Sequence, residues 1–462
     1  MLKKLLVSLL SALLCMSVVA EPETQSDGNQ NMNNITIDEN GDVFVAPLWY
    51  HISDGKAEVK RDKSYRELES VIVPSEIRIG EHVYPVTSIG ETGFSWCCEL
   101  RDIEIPSSVT SIGDSAFSDC ISLTSINIPT SVTSIGDSAF CGCIYLSSVN
   151  IPSSVTSIGK SAFNSCLSLT NINIPSSVTS IGKSTFNSCI SLTSINIPSS
   201  VTSIGDSAFC GCSDLSSINI PSSVTSIGNN AFRGCYGLSS INIPSSVTSI
   251  GEGAFSDCIS LTSINIPTSV TSIGDSAFCG CIYLSSINIP SSVTSIGEGA
   301  FSDCISLTSI NIPTSVISIG ESAFAFCRDL TSINVSQDNL IYSSKDGILY
   351  DKNKTVLIYS PMGKKGTVKI PKSVTSIGNR VFSGCTGLTS IKIPKSVTSI
   401  GDYAFDDCTG LTSIEIPKSV TSIGILAFAD CENLEIVIDN SKENVSVWED
   451  AFYRCKSVKF LK

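Results

Sequence analysis

Three groups of residues in this chain have types and spacings that bear on chemistry. The first is Cys141-Gly142-Cys143, a C-x-C pair that returns as Cys210-Gly211-Cys212 and Cys279-Gly280-Cys281. Two thiolates can ligate a soft metal, but a closed structural zinc site takes four ligands and a catalytic one three. The only histidines, His51 and His82, precede every pair, so no metal and no cofactor is expected. The second is Gly-Asp-Ser-Ala, which carries Asp114, Asp137, Asp206 and Asp275 in turn. A nucleophilic serine needs a positioned base and an oxyanion pocket, and no histidine accompanies any copy. A turn capped by Asp or Ser explains the phrase, and no catalytic residue is assigned. The third is the stretch from Gln337 to Lys372, with seven Lys and three Asp in a chain of net charge −14. Lys352, Lys354, Lys364 and Lys365 there are candidate contacts for an acidic partner, against the simpler reading of a solvated hairpin.

The elements that position these residues follow from repetition. Phe recurs every 23 residues from Phe94 to Phe324, resumes at Phe382, Phe405 and Phe428, and closes at Phe452. Pro keeps the same interval from Pro106 to Pro313 and again at Pro371, Pro394 and Pro417. One unit reads L-x-x-I-x-I-P-x-x-V-x-x-I-G-x-x-A-F-x-x-C-x-x. Leu123, Ile126 and Ile128 point inward along one strand while Thr124, Ser125 and Asn127 face solvent. Pro129 lacks an N–H and ends that strand. Val132 and Ile135 form a second short extended piece, and Gly136 is expected to supply unusual dihedrals for a turn. A short helical or 3₁₀ turn then buries Ala139 and Phe140, with Cys143 closing it from inside.

A 23-residue unit cannot bury its own apolar face, so the units must stack into a solenoid of parallel strands. The fold class expected is a β-rich, curved repeat array with β caps. Residues 1–20 read as a secretory signal peptide, with Lys3 and Lys4 ahead of an apolar run and Val18-Val19-Ala20 at its end. Residues 21–41 read as a flexible polar leader, 42–86 as an N-terminal β cap, 87–336 and 371–433 as solenoid, and 434–462 as a C-terminal cap. Between them, 337–370 read as a β-hairpin insertion projecting from the array, because 58 residues rather than 23 separate Phe324 from Phe382. Fifteen cysteines, among them Cys120, Cys143, Cys166 and Cys189, fall third after the unit Phe. Their stacked Cα atoms, about 5 Å apart, tolerate disulfides. A column of small buried thiols is the favoured reading.

The unit IPSSVTSIGDSAFSDCISLTSI resembles the BspA-like leucine-rich repeat, a family of secreted and cell-surface proteins of host-associated microbes. The insertion phrases YSSKDGILY and LIYSP are similar to ones that recur in that family. The resemblance implies a leucine-rich-repeat solenoid and a role in adhesion or in binding proteins or glycans, with host extracellular matrix as one partner class. It implies no catalysis. The acidic balance disfavours nucleic acid and anionic lipid, and no span beyond the signal segment is long enough for a membrane. The strand face offers a ligand-binding stripe of Asn127, Asn150, Asn173, Asn196, Asn219, Asn242, Asn265, Asn288, Asn311 and Asn334. The alternative is a structural spacer or surface-coat element with no ligand of its own.

Overall fold

The computed structural model describes residues 35–461, so the expected signal peptide lies outside the described residues. The chain forms two compact units, one ending at Ser223 and the other beginning at Val224. Each is a parallel β-solenoid, as the 23-residue lattice requires.

The first unit starts with strands that run antiparallel. Ile35–Ile37 pairs with Val43–Val45, which pairs with Leu48–Ser53, which pairs with Lys56–Lys60. Ile35–Ile37, inside the stretch read as leader, is therefore the first strand of this sheet. Lys56–Lys60 then accepts His82–Ile89 in parallel, with Val59 opposite Ile89, and the solenoid proceeds from there. One column places Ile89, Ile112, Ile135 and Ile158 side by side. A second places Val71 beside Ile103, and farther along sets Ile126 beside Val149 and Val149 beside Ile172.

A third column is made by the turns. Phe117 N–H donates to Ala139 O at 2.7 Å, and Phe140 N–H to Ala162 O at 2.8 Å. Each coil is thus hydrogen-bonded to its neighbour along three columns around its circumference. In one coil Leu123, Ile126, Ile128, Val132, Ile135, Ala139, Phe140 and Cys143 are all buried, the set expected from the repeat. The phenylalanine rings stack face to face, Phe117 on Phe140 at 5.3 Å and 2°. Tyr65, tilted on Phe94 at 5.5 Å, covers the near end of that stack.

Two sequence readings are corrected at the turn. Among the described residues helix is confined to two 3₁₀ segments, Lys63–Glu67 and Lys442–Asn444; the segment after Gly136 is a run of turns. Nor does Gly136 have a positive φ. A Cβ there would lie 2.6 Å from the backbone N of Asp114 in the preceding coil, so the position is glycine because coils pack too closely for a side chain. The left-handed residues are others: Ser138 at φ 56° and Gly142 at φ 74°.

The second unit repeats the scheme, with Ile250, Ile273 and Ile296 in one column and Ser309–Ile312 beside Ser332–Val335 in another. Its insertion does not project, which corrects the expectation of an outlying hairpin. Tyr342–Lys345 and Ile348–Asp351 do form an antiparallel pair, but Val356–Tyr359 then joins the parallel column beside Ser376–Ile377. Gly366–Lys369 runs parallel to Leu388–Lys392. Ile348, Tyr350, Leu357 and Val368 belong to the same core as Phe382 and Phe405. Apolar residues at alternate positions made the segment a coil of the solenoid, shorter than its neighbours, rather than an appendage.

Candidate binding surfaces

The asparagines of the expected stripe are all exposed and in strict register within each unit. Asn127 lies opposite Asn150, Asn150 opposite Asn173, Asn173 opposite Asn196 and Asn196 opposite Asn219. In the second unit Asn242 bridges to Asn265, Asn265 pairs with Asn288, and Asn311 with Asn334. Alternation along a strand puts Ile126 inside and Asn127 outside, so one core position fixes the whole outward column. Asn334 donates through Nδ2 to Asn311 Oδ1 at 3.1 Å. Asn288, Asn311 and Asn334 line a shallow groove of about 580 Å³ together with Pro290 and Pro313. The surface is amide-rich and carries no charge there, which suits recognition by many individually weak hydrogen bonds.

The hydroxyls beside it are arranged differently. Thr133 Oγ1 donates to Thr110 O at 3.3 Å and Thr156 Oγ1 to Thr133 O at 3.3 Å. Ser131 Oγ donates to Val109 O at 2.5 Å, and Ser154 Oγ to Val132 O at 2.7 Å. These side chains join coil to coil.

The Gly-Asp-Ser-Ala phrase is architectural. Asp114 Oδ1 accepts from Asp137 N at 2.7 Å, and Asp137 Oδ1 accepts from Lys160 N at 2.6 Å. The carboxylate therefore caps the following coil rather than its own turn. Asn229 does the same for Glu252, and Asp275 for Glu298.

The cysteine column is chemically quiet. Cys120, Cys143, Cys166 and Cys189 are unbridged and buried, and each thiol donates to the carbonyl of the preceding coil's Phe. Burial pushes the thiols of Cys327, Cys385 and Cys431 up to about 12, so they stay protonated and non-nucleophilic. Cys141, half-buried on the turn face, is raised to about 11 by burial and then by the nearby Asp119 carboxylate. Among the described residues no group of three or more His, Cys, Asp or Glu could hold a metal ion.

Of the insertion lysines, two are tied to the segment itself. Lys352 Nζ donates to the carbonyls of Gln337 and Asn339, and Lys364 Nζ to that of Asp346. Lys365 is exposed and Lys354 half-buried in a left-handed turn. Sequence reasoning gave Tyr359 no role beyond its place in the LIYSP phrase. Its hydroxyl donates to Phe324 O at 2.6 Å and its ring lies 6.1 Å from that of Phe324. In other coils a cysteine thiol fills that role, so Tyr359 does for the short coil what the ladder cysteine does elsewhere.

The BspA type leucine rich repeat region matches the chain over residues 67–192, 179–278, 248–355 and 362–462. A leucine-rich repeat protein from Bacteroides ovatus is 29% identical, with a TM-score of 0.62, over 88% of this chain and 100% of that one. A leucine-rich repeat protein from Eubacterium ventriosum is 27% identical at a TM-score of 0.44, over 58% of this chain and 73% of that one. A leucine rich cell surface protein from Faecalibacterium prausnitzii is 25% identical at a TM-score of 0.34, over 92% and 96%. The curated proteins give no match. No helix among the described residues is long and apolar enough to cross a membrane.

Proposed function

This chain belongs to the BspA-type leucine-rich-repeat family, and from that premise we propose a non-enzymatic, exported binding protein whose strand face contacts proteins or glycans of a host or neighbouring cell. Family members are typically surface or secreted proteins, and repeat proteins of this kind bind protein ligands. The observation that carries the reading is the asparagine stripe. Its amides project from in-register strands into solvent, while the neighbouring Thr and Ser hydroxyls are committed to holding coils together. Where the stripe's amides do bond internally, as Asn334 does to Asn311, the bond runs within the stripe and leaves exposed donor and acceptor capacity for a partner.

The test is an array of host matrix proteins and glycans probed with the purified protein and with a variant carrying Asn288→Arg, Asn311→Arg and Asn334→Arg. A ligand is expected to bind the parent and to lose at least tenfold in affinity with the variant. Equal binding by both would remove the stripe from the function. The spacer reading is favoured by the inter-coil hydroxyls, which make the array stiff whatever it binds. It predicts no ligand on the array and unchanged adhesion by cells lacking the protein.

A further inference from the structure

Where the insertion meets the preceding coil, the turn column is interrupted. In the coils before it the turns are joined by three bonds. Ser276 N–H donates to Glu298 O at 2.7 Å, Phe278 N–H to Ala300 O at 2.8 Å and Gly280 N–H to Ser302 O at 2.8 Å. The next coil repeats them onto Glu321 O, Ala323 O and Ala325 O. The pattern then stops. The N–H groups of Ser322, Phe324 and Phe326 have no acceptor among the described residues. On the far side Val381 O accepts Ser360 N–H at 2.9 Å, but Asn379 O and Ser383 O accept from no described residue.

These groups face each other across a cavity of about 190 Å³. Ser322, Phe324 and Phe326 lie along one wall, and Asn379 and Ser383 along the other. The floor is apolar: Leu349, Ile358, Tyr359 and Met362 of the short coil. Phe326 is half exposed at the mouth and left-handed at φ 58°. The two walls are register-matched. With residues 336–370 taken out of the count, Phe382 stands 23 places after Phe324, and the three donors would meet the carbonyls of Asn379, Val381 and Ser383. The cavity therefore presents the two outer acceptors and the three donors of a turn ridge, the middle carbonyl, Val381 O, being taken by Ser360 of the short coil.

We propose that this slot binds an extended peptide segment of a partner protein, which lies between the two ridges as a surrogate coil. Its carbonyls accept from Ser322, Phe324 and Phe326, and its N–H groups donate to Asn379 and Ser383. An apolar side chain of the peptide points down onto Leu349, Tyr359 and Met362. Unpaired donors at alternate residues call for a backbone rather than a sugar or a small anion, because the complement must repeat at strand spacing. Burial of an apolar anchor at such a site supplies affinity, while the ladder fixes direction. The inference rests on the binding reading but uses a surface distinct from the asparagine stripe, so the two fail separately.

The probe is a displayed random heptapeptide library panned against the purified protein, with selected peptides remeasured on three variants. Ser383→Trp fills the slot, removal of residues 336–370 closes it, and the triple asparagine variant leaves it open. Selected peptides are expected to bind the parent and the triple variant equally and to lose at least tenfold on the other two. Amide exchange at Ser322, Phe324 and Phe326 is expected to be fast in the free protein relative to Ser276, Phe278 and Gly280, and to slow by at least tenfold with peptide. The proposal is overturned if no peptide is selected, if selected peptides bind Ser383→Trp unchanged, or if Phe324 already exchanges as slowly as Phe278.

Discussion

At the scale of single residues, the chain uses chemically versatile groups for their size and their hydrogen bonds. Cys166 donates to Phe140 O at 3.2 Å inside a fully apolar column, a place where a hydroxyl would be costlier to desolvate. The same burial makes stability depend on pH in a definite direction. Thiols that titrate near 9.0 in the open chain are held up to about 12 at Cys327, Cys385 and Cys431. The folded state binds protons that the unfolded state releases above pH 9, so this contribution is intact below that value and is lost as pH climbs toward 12. Urea unfolding midpoints are expected to be level between about pH 6 and 8 and to fall clearly by about pH 10. Thiol titration with DTNB should be slow for the native protein at neutral pH and immediate in denaturant. Rapid native labelling of the core thiols would contradict their burial. Tyr359→Phe removes the hydroxyl from Phe324 O and is expected to cost about 1 kcal/mol in chemical denaturation, since one buried carbonyl is left without its donor.

At the scale of the coil, the turn carries two constraints that look alike in sequence and differ in cause. Gly136 is forced by close approach: a methyl group would meet backbone atoms of Asp114 and Gly113 that have no room to move. Gly136→Ala is expected to destabilise by about 1–3 kcal/mol. Ser165 is forced by nothing of the kind; it sits at φ 60° in the column that Gly142 and Gly211 occupy in other coils. Ser165→Gly is therefore expected to change stability by less than about 1 kcal/mol, because relief of the left-handed strain offsets the added chain entropy. Paired melts of the two variants separate the causes. Much of this level was legible beforehand. The interval between phenylalanines determined the coil, its buried letters and its outward asparagines, because each follows from stacking identical units. What was not legible were contacts between coils: the Asp114 cap on the next coil and the crowding at Gly136 depend on how closely neighbours approach. The insertion was readable as a strand pair, but its place in the core was not, since alternating apolar residues fit an exposed hairpin and a buried coil alike.

At the scale of the whole molecule, stability is distributed along each unit as a sum of coils and the interfaces between them. Such a chain is sensitive to register and tolerant of length. Removal of residues 336–370 restores the 23-residue interval between Phe324 and Phe382 and is expected to give a folded, cooperative second unit. Removal of 337–370 leaves one residue too many, and should fold less cooperatively or with a lower melting temperature. Differential scanning calorimetry of the two deletions, one residue apart, measures the difference; identical melts would show that the coils do not need in-register stacking. Tyr359 has a consequence of another sort. Ser118–Thr130 and Ser256–Thr268 are letter-for-letter copies, so a growing chain has many positions at which one coil matches another equally well. A lattice of interchangeable letters has no landmarks and can be miscounted. The short coil, with a tyrosine where its neighbours have a cysteine, is the one index mark of that kind on an otherwise uniform tape.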